Sequence, residues 1–240
     1  MPYKRIICLA NSHKNQRRCI AGVALDTGTW IRPVTPDDDG ALSDNQCMLN
    51  DGTLPGLLDI IDIDITTPLP LLYQPENWAI GNQPWQIVAR PAGQEALPLL
   101  RKSTYTGPYI MGCTGDRIPY SRIERISIKQ SLLLVAPRLV EWQITTSARG
   151  NRQTQALFNL GGEPYNLVAT DAMWEARLGD LPPGSTYNWR QLGLAPTDRI
   201  LMTISLGEPF GEVDRCCYKL VAGVLVVKES WWSQVRGAAH

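Results

Sequence analysis

The 240-residue sequence has two phenylalanines, two histidines and no excess charge of either sign. Lys plus Arg is 23 and Asp plus Glu is 23, so the formal net charge is zero. A uniformly basic nucleic-acid coat is thereby excluded, and any anion site must be local. There is no C-x-x-C pair, and His13 is the only histidine before His240, so a structural zinc lacks its ligands. Neither G-x-G-x-x-G nor G-K-[ST] occurs, and strands do not alternate with helices, which argues against a Rossmann or P-loop fold. No cofactor is expected. The apolar stretch before Asn11 is too short for a secretory core, and no apolar run approaches the length of a membrane span. A cytoplasmic location with no membrane partner is the expectation. Six cysteines (Cys8, Cys19, Cys47, Cys113, Cys216, Cys217) sit in a chain with enough apolar mass to fold unaided, so they read as reduced thiols rather than a disulfide scaffold.

What is present is segregated. Eight Trp and eight Tyr bias the aromatic content toward rings with a polar handle. Residues 1–36 carry a local balance of +5, and residues 37–64 hold eight acids and no base. A neutral protein can still present separated fields of both signs. The acidic stretch reads either as a solvated loop or as a flexible segment screening the basic face until a partner displaces it. Seventeen of the bases are Arg, which suits planar, bidentate or stacked contacts.

Periodicity predicts short strands over Arg5–Ala10, Cys19–Leu25, Trp30–Val34, Leu57–Ile65 and Trp85–Ala89, then a helix over Gly93–Arg101 and a Gly- and Tyr-rich loop over 103–119. A second set follows over Leu132–Ala136, Val140–Thr145, Gln153–Leu160, Tyr165–Ala169, Arg199–Leu206 and Tyr218–Val227. Gly161-Gly162 offers a hairpin turn. A short helix from Asp171 to Leu178 is predicted with Asp as N-cap and Gly179 as stop. Two successive sets of short strands with little helix predict an all-β chain with minor α content: two small β-barrels joined near residues 127–131.

The connection from Cys8 to Gly22 concentrates Asn11, Ser12, His13, Lys14, Arg17 and Arg18, several of which could donate to phosphate or base edges. Trp30 and Arg32 alternate on one strand and project from the same face. They read either as a stacking indole beside a planar cation, worth roughly 1–3 kcal/mol per base, or as a core Trp beside a snorkelling Arg. Cys19 with His13 falls short of a nucleophile and base pair, because no signature of a Cys enzyme surrounds them. Asp116-Arg117 is an ion-pair turn or a contact loop. Asn77 and Trp78 belong to a polar, aromatic loop over the first barrel. Glu208 and Lys219 either pair with each other or contact a ligand.

The segments KRIICLANSHK (4–14), RCIAG (18–22), WIRP (30–33), YQPENW (73–78), DRIP (116–119), SLGEPF (205–210) and YKL (218–220) together resemble the bacterial dual OB-containing domain family, from Lys4 to about Val227. The resemblance implies two tandem OB-type barrels, 1–127 and 128–240 with a short tail. It also implies a role in binding nucleic acid (DNA or RNA) or nucleotides, within bacterial antiviral defence and alongside other proteins of that system. The leading expectation is a non-catalytic binding module: Lys14, Arg17, Arg18 and Arg32 on phosphates, Trp30 stacking, Asn11 and Ser12 on bases or sugars. Four neutralised phosphates on a single strand give a salt slope of about −3. A pocket for a nucleotide or modified base, closed by Asn11, Ser12, Arg18 and Trp30, is the alternative. An enzyme centred on Glu208, Asp116 or Cys19 is least supported. An interaction scaffold requires Trp231 and Trp232 to be exposed.

Overall fold

A computed structural model describes residues 3–14, 16–36, 40–147 and 150–234. In the first half, strands β1 (Tyr3–Lys14), β2 (Arg17–Ala24), β3 (Trp30–Val34), β4 (Ile60–Pro68) and β5 (Asn77–Ile80) form a closed barrel in the order β1-β2-β3-β5-β4, with β4 returning to β1. The β3–β5 pair is parallel and the other neighbours are antiparallel. The small helix α1 (Asp44–Cys47) lies between β3 and β4, and β6 (Gln86–Ala89) extends the edge at β4.

The residue pattern explains the closure. Ile6 and Cys8 on β1 point into the barrel with Ile20, Ile31, Ile61, Ile63 and Trp85. Ile7 and Leu9 point the other way, into a second apolar cluster. A strand buried on both faces shows no alternation, which is why Ile6 to Ala10 is an unbroken apolar run. β4 keeps the predicted alternation: Ile61, Ile63 and Ile65 face inward, and Asp62 faces out to a bidentate pair with Arg5 at 2.8 Å. Asp64 is tucked under the following turn, where it accepts the backbone N–H of Gln83 at 2.9 Å. The segment read as a loop over 73–78 contains the start of β5, too short to show a period of its own.

Helix α2 (Gly93–Ser103), short strands β7 (Thr104–Tyr105) and β8 (Arg117–Pro119), and helix α3 (Tyr120–Arg125) lead to the second sheet. That sheet contains β9 (Leu132–Val135), β10 (Val140–Thr146), β11 (Arg152–Leu160), β12 (Glu163–Ala169), β13 (Thr186–Tyr187), β14 (Asp198–Phe210) and β15 (Cys216–Lys228). Helix α4 (Ala172–Arg177) falls between β12 and β13, and α5 (Glu229–Gln234) ends the described chain. The order β10-β11-β12-β15-β14-β9, with β12 and β15 parallel, repeats the cyclic order of the first barrel. β9 and β10 are successive pieces of one path interrupted at 136–139, where Pro137 has no N–H to give a ladder. Asp171 caps α4 as predicted, accepting from Met173 and Trp174 N–H at 2.9 and 3.0 Å, while its other oxygen accepts Val224 N–H at 2.7 Å. The expected all-β architecture with minor α content is therefore present, as one closed barrel and a second sheet of matching order. β7 pairs with β9 and β8 with β15, so the second sheet draws on residues from Thr104 onward.

The two halves dock along β1. Ile7, Leu9, Ala21, Val23 and Trp30 of the first half pack with Leu97 and Leu100 of α2 and with Leu132, Leu134, Leu201 and Ala222 of the second. Thr203 Oγ1 donates to Leu9 O at 2.6 Å, and His13 N–H donates to Thr170 O at 3.1 Å. Trp232 on α5 is buried in the same cluster, with the Arg101 guanidinium 4.7 Å above its ring. The scaffold reading, which required both tail indoles to be exposed, is corrected at Trp232: apolar neighbours cover that ring. All six cysteines are free. Among the described residues no helix is long and apolar enough to cross a membrane.

Gly223 marks the tightest point of the seam, since a Cβ there would lie 2.3 Å from the Leu9 carbonyl oxygen. Gly223→Ala must push β1 away from β15. Overpacking of this kind costs about 1–3 kcal/mol or more, and a lowering of the unfolding midpoint by roughly 2–4 °C per kcal/mol is expected in a chain of this size. Differential scanning calorimetry checks this. An unchanged midpoint would show that the seam yields freely.

Candidate functional site

A cleft of about 1170 Å³ opens between the two halves. One wall is the outward face of β11 and β12. Along β11, Thr154, Ala156 and Phe158 are buried, so Gln153 and Gln155 project outward. Both line the cleft with Asn166 of β12, whose Nδ2 donates to Gln155 Oε1 at 3.2 Å. The opposite wall is the β4–β5 connection, from Pro68 through Tyr73 and Gln74. Ser12 and Lys14 at the end of β1, with Glu208, Phe210 and Tyr218 from the second half, form further lining.

Arg32 and Asn77 also line this space. They are register partners on the parallel strands β3 and β5 and are 6% and 3% exposed. Arg32 Nη2 donates to Ser131 Oγ at 3.2 Å and to Ser205 Oγ at 3.1 Å, both residues of the second half. Ser131 in turn donates its hydroxyl to Glu76 Oε2 at 2.7 Å and its N–H to Oε1 at 2.6 Å. A hydroxyl thus bridges a buried cation and a carboxylate across the seam. Burial pushes the Arg32 guanidinium below its ordinary pKa, and the Glu76 charge opposes that shift. Among the described residues Arg32 Nη1 and Asn77 Oδ1 have no hydrogen-bond partner.

The sequence pattern of the dual OB-containing domain matches residues 4–224. The chain belongs to that family. No curated protein matches this dual OB chain. Among solved structures, a replication protein A heterotrimer bound to ssDNA is similar at a TM-score of 0.38 and 10% identity, covering 100% of this chain and 54% of that one. The tetrameric p202 HIN2 structure has a TM-score of 0.29 at 10% identity, covering 94% and 91% of the two chains. A murine DNA-binding protein bound with double-stranded DNA has a TM-score of 0.29 at 6% identity, covering 95% and 100%. The ssDNA of the replication protein A structure and the double-stranded DNA of the murine one belong to those proteins.

The dual OB chain does not gather its early cations around an open indole. Trp30 is 7% exposed, sits in the seam cluster and is not among the residues lining the cleft; its strand is buried on both sides, like β1. Arg18 donates to Asp44 Oδ1 at 2.6 Å and to Asn11 Oδ1 at 3.2 Å, and Asn11 donates to Pro55 O at 2.7 Å. This group lies on the first barrel away from the cleft lining. Arg17 is partly buried and also outside that lining. Lys14 pairs with Glu208 at 2.5 Å. The predicted Glu208–Lys219 alternative is therefore replaced: Lys219 is 1% exposed, and its ammonium donates to the carbonyls of Cys113, Thr114 and Gly115 at 2.8, 3.3 and 3.0 Å, beside the Tyr165 ring. Burial pushes the Lys219 ammonium below its ordinary pKa. Trp78 is half-buried and lines a separate groove of about 500 Å³ with Lys4, Glu76 and Lys129. Arg117 is exposed, pairs with Asp116 at 3.1 Å, and stacks 5.2 Å above Tyr218. Sequence reading missed Gln153, Gln155 and Asn166; the alternation on β11 places the first two outward, although only the paired halves reveal what they face.

Asp62 and Asp44 of the acidic stretch pair with Arg5 and Arg18 of the basic opening. The acids at those two positions are fixed partners in folded elements, not a displaceable screen. Asp37, Asp38 and Asp39 lie outside the described residues.

Burial pushes the Cys47 thiol up to about 11 and the Cys217 thiol up to about 12, and raises Cys8 as well. At pH 8 the thiolate fractions at Cys47 and Cys217 are then about 0.1% and 0.01%. Iodoacetamide at pH 8 is expected to alkylate half-exposed Cys216 well before Cys8, Cys47 and Cys217, and all of them at similar rates after unfolding. Peptide mass spectrometry reads the order, and early labelling of Cys217 would contradict it.

Proposed function

We propose that the inter-barrel cleft binds a short stretch of unpaired nucleic acid without catalysing a reaction on it. The observation that carries this reading is the position of the cleft: the outward face of the second and third strands of one barrel, opposed by the β4–β5 connection of the other. Those are the face and loop that OB barrels use for oligonucleotides. The volume exceeds the 300–1,000 Å³ usual for small-molecule pockets, which suits more than one nucleotide. Tyr73, Tyr218 and Phe210 line the cleft and replace Trp30 in the stacking role of this reading. The further setting is part of the same proposal: a place in bacterial antiviral defence beside other proteins of that system rests on the family resemblance, and a cytoplasmic location on the short apolar stretches of the sequence.

The mode of binding differs from a cationic cradle. Lys14 is tied to Glu208 and Arg18 to Asp44, and the wall facing the strand is neutral amide. A salt slope shallower than about −1.4, equivalent to no more than two phosphates, is expected in place of the −3 of a four-cation site. Fluorescence anisotropy of labelled single strands over a range of KCl concentrations measures it.

Gln155→Glu retains the acceptor for Asn166 while adding a negative charge to the wall. Strand affinity should fall several-fold, roughly 1 kcal/mol for a charge at the solvated edge of a cleft, with the unfolding midpoint unchanged. If affinity is unaffected, the strand does not pass along β11. A free mononucleotide that competes as tightly as the strand would turn the reading into that of a nucleotide sensor.

A further inference from the structure

We infer that Arg32 and Asn77 form a reader for the Watson–Crick edge of one unpaired nucleobase. This rests on the strand-binding reading above and specifies what the cleft recognises. The carrying observation is a buried donor and a buried acceptor on register partners of adjacent strands, both unpartnered among the described residues. Arg32 Nη1 and Asn77 Oδ1 belong to residues that are register partners and that line the cleft. Buried polar atoms in folded proteins are nearly always hydrogen-bonded, so two orphans on residues that line one cleft call for a ligand carrying the complementary pair.

The neighbours determine which atoms are offered. Gln74 Nε2 donates to Leu206 O at 3.0 Å, which leaves Gln74 Oε1 to accept from Asn77 Nδ2 at 3.3 Å. The Asn77 amide is thereby oriented with its NH₂ engaged and its oxygen free. Of the two terminal guanidinium nitrogens of Arg32, Nη2 is held by Ser131 and Ser205, which leaves Nη1 as the terminal nitrogen to donate. A phosphate would accept from Nη1 but would confront the Asn77 oxygen, an acceptor with no proton to offer. The matching ligand has an acceptor adjacent to a donor. Thymine O4 and N3–H, cytosine N3 and N4–H, adenine N1 and N6–H, and guanine O6 and N1–H all present such a pair on the edge that a duplex consumes. The reader therefore tests whether a base is unpaired and tolerates its identity.

Thymine gives the cleanest probe, since N3–H is the only ring donor available to Asn77 and N3-methylation removes it without changing charge. An oligothymidine strand should bind the wild-type protein at least about tenfold more tightly than the same strand with N3-methylthymine throughout, the usual consequence of leaving a buried acceptor unpaired. Asn77→Leu should weaken the thymine strand by about the same factor and leave the methylated strand unchanged, so that the two losses do not add. Equal binding of both strands to the wild type overturns the reader while leaving strand binding in place. Binding of neither strand removes both. A folded Asn77→Leu protein with wild-type affinity also overturns it, and if that variant fails to fold, the methylation comparison on the wild type decides.

Discussion

The docking of β1 against β14 and β15 is the constraint on which the rest of the molecule depends. One strand serves two interiors: Ile6 and Cys8 fill the first barrel, while Ile7 and Leu9 fill the seam. Because both faces are committed, β1 cannot shift by one residue without exchanging the two sets. The Leu9 carbonyl seated over Gly223 and bonded to Thr203 leaves little room for sliding. The cleft walls inherit this rigidity, since one belongs to each half.

Electroneutrality is local as well as global. Basic residues near the N-terminus find carboxylates that arrive later in the chain: Lys4 with Asp26, Arg5 with Asp62, Arg18 with Asp44 and Lys14 with Glu208. Surface pairs of this kind contribute little to stability, about 0–1 kcal/mol each, but they discharge the field that a phosphate backbone would otherwise feel. In the proposed function, shape and neutral hydrogen bonds are then left to carry recognition, in keeping with a cleft lined by Gln153, Gln155 and Asn166.

The strands were legible because burial leaves a periodic trace. Ile61, Ile63 and Ile65 alternate with Asp62 and Asp64, and Asp171 before a short amphipathic run announces a capped helix. The short β5 left no such trace, and the interruption of the second sheet at Pro137 reads as two ordinary strands. The candidate site was legible only in part. Arg32 and Asn77 stood out as polar residues within apolar or aromatic company, yet their meeting depends on a parallel pairing between residues forty-five positions apart in number. Trp30 misled for a physical reason: an amphipathic ring beside a cation looks the same in sequence whether a base or another barrel covers it. Lys219 misled likewise, because a buried ammonium can be satisfied by main-chain carbonyls, which no side-chain pattern reveals.

The hydroxyls that hold Arg32 come from Ser131 and Ser205, across the seam from its own barrel. Under the proposed reading, a strand in the cleft acts on the same guanidinium that fastens the halves together. Occupancy and cohesion become thermodynamically linked, as for any ligand that binds the folded form alone. In that case a loaded molecule would resist separation of its two halves, and a loosened seam would lower affinity at a site none of the loosening residues touches.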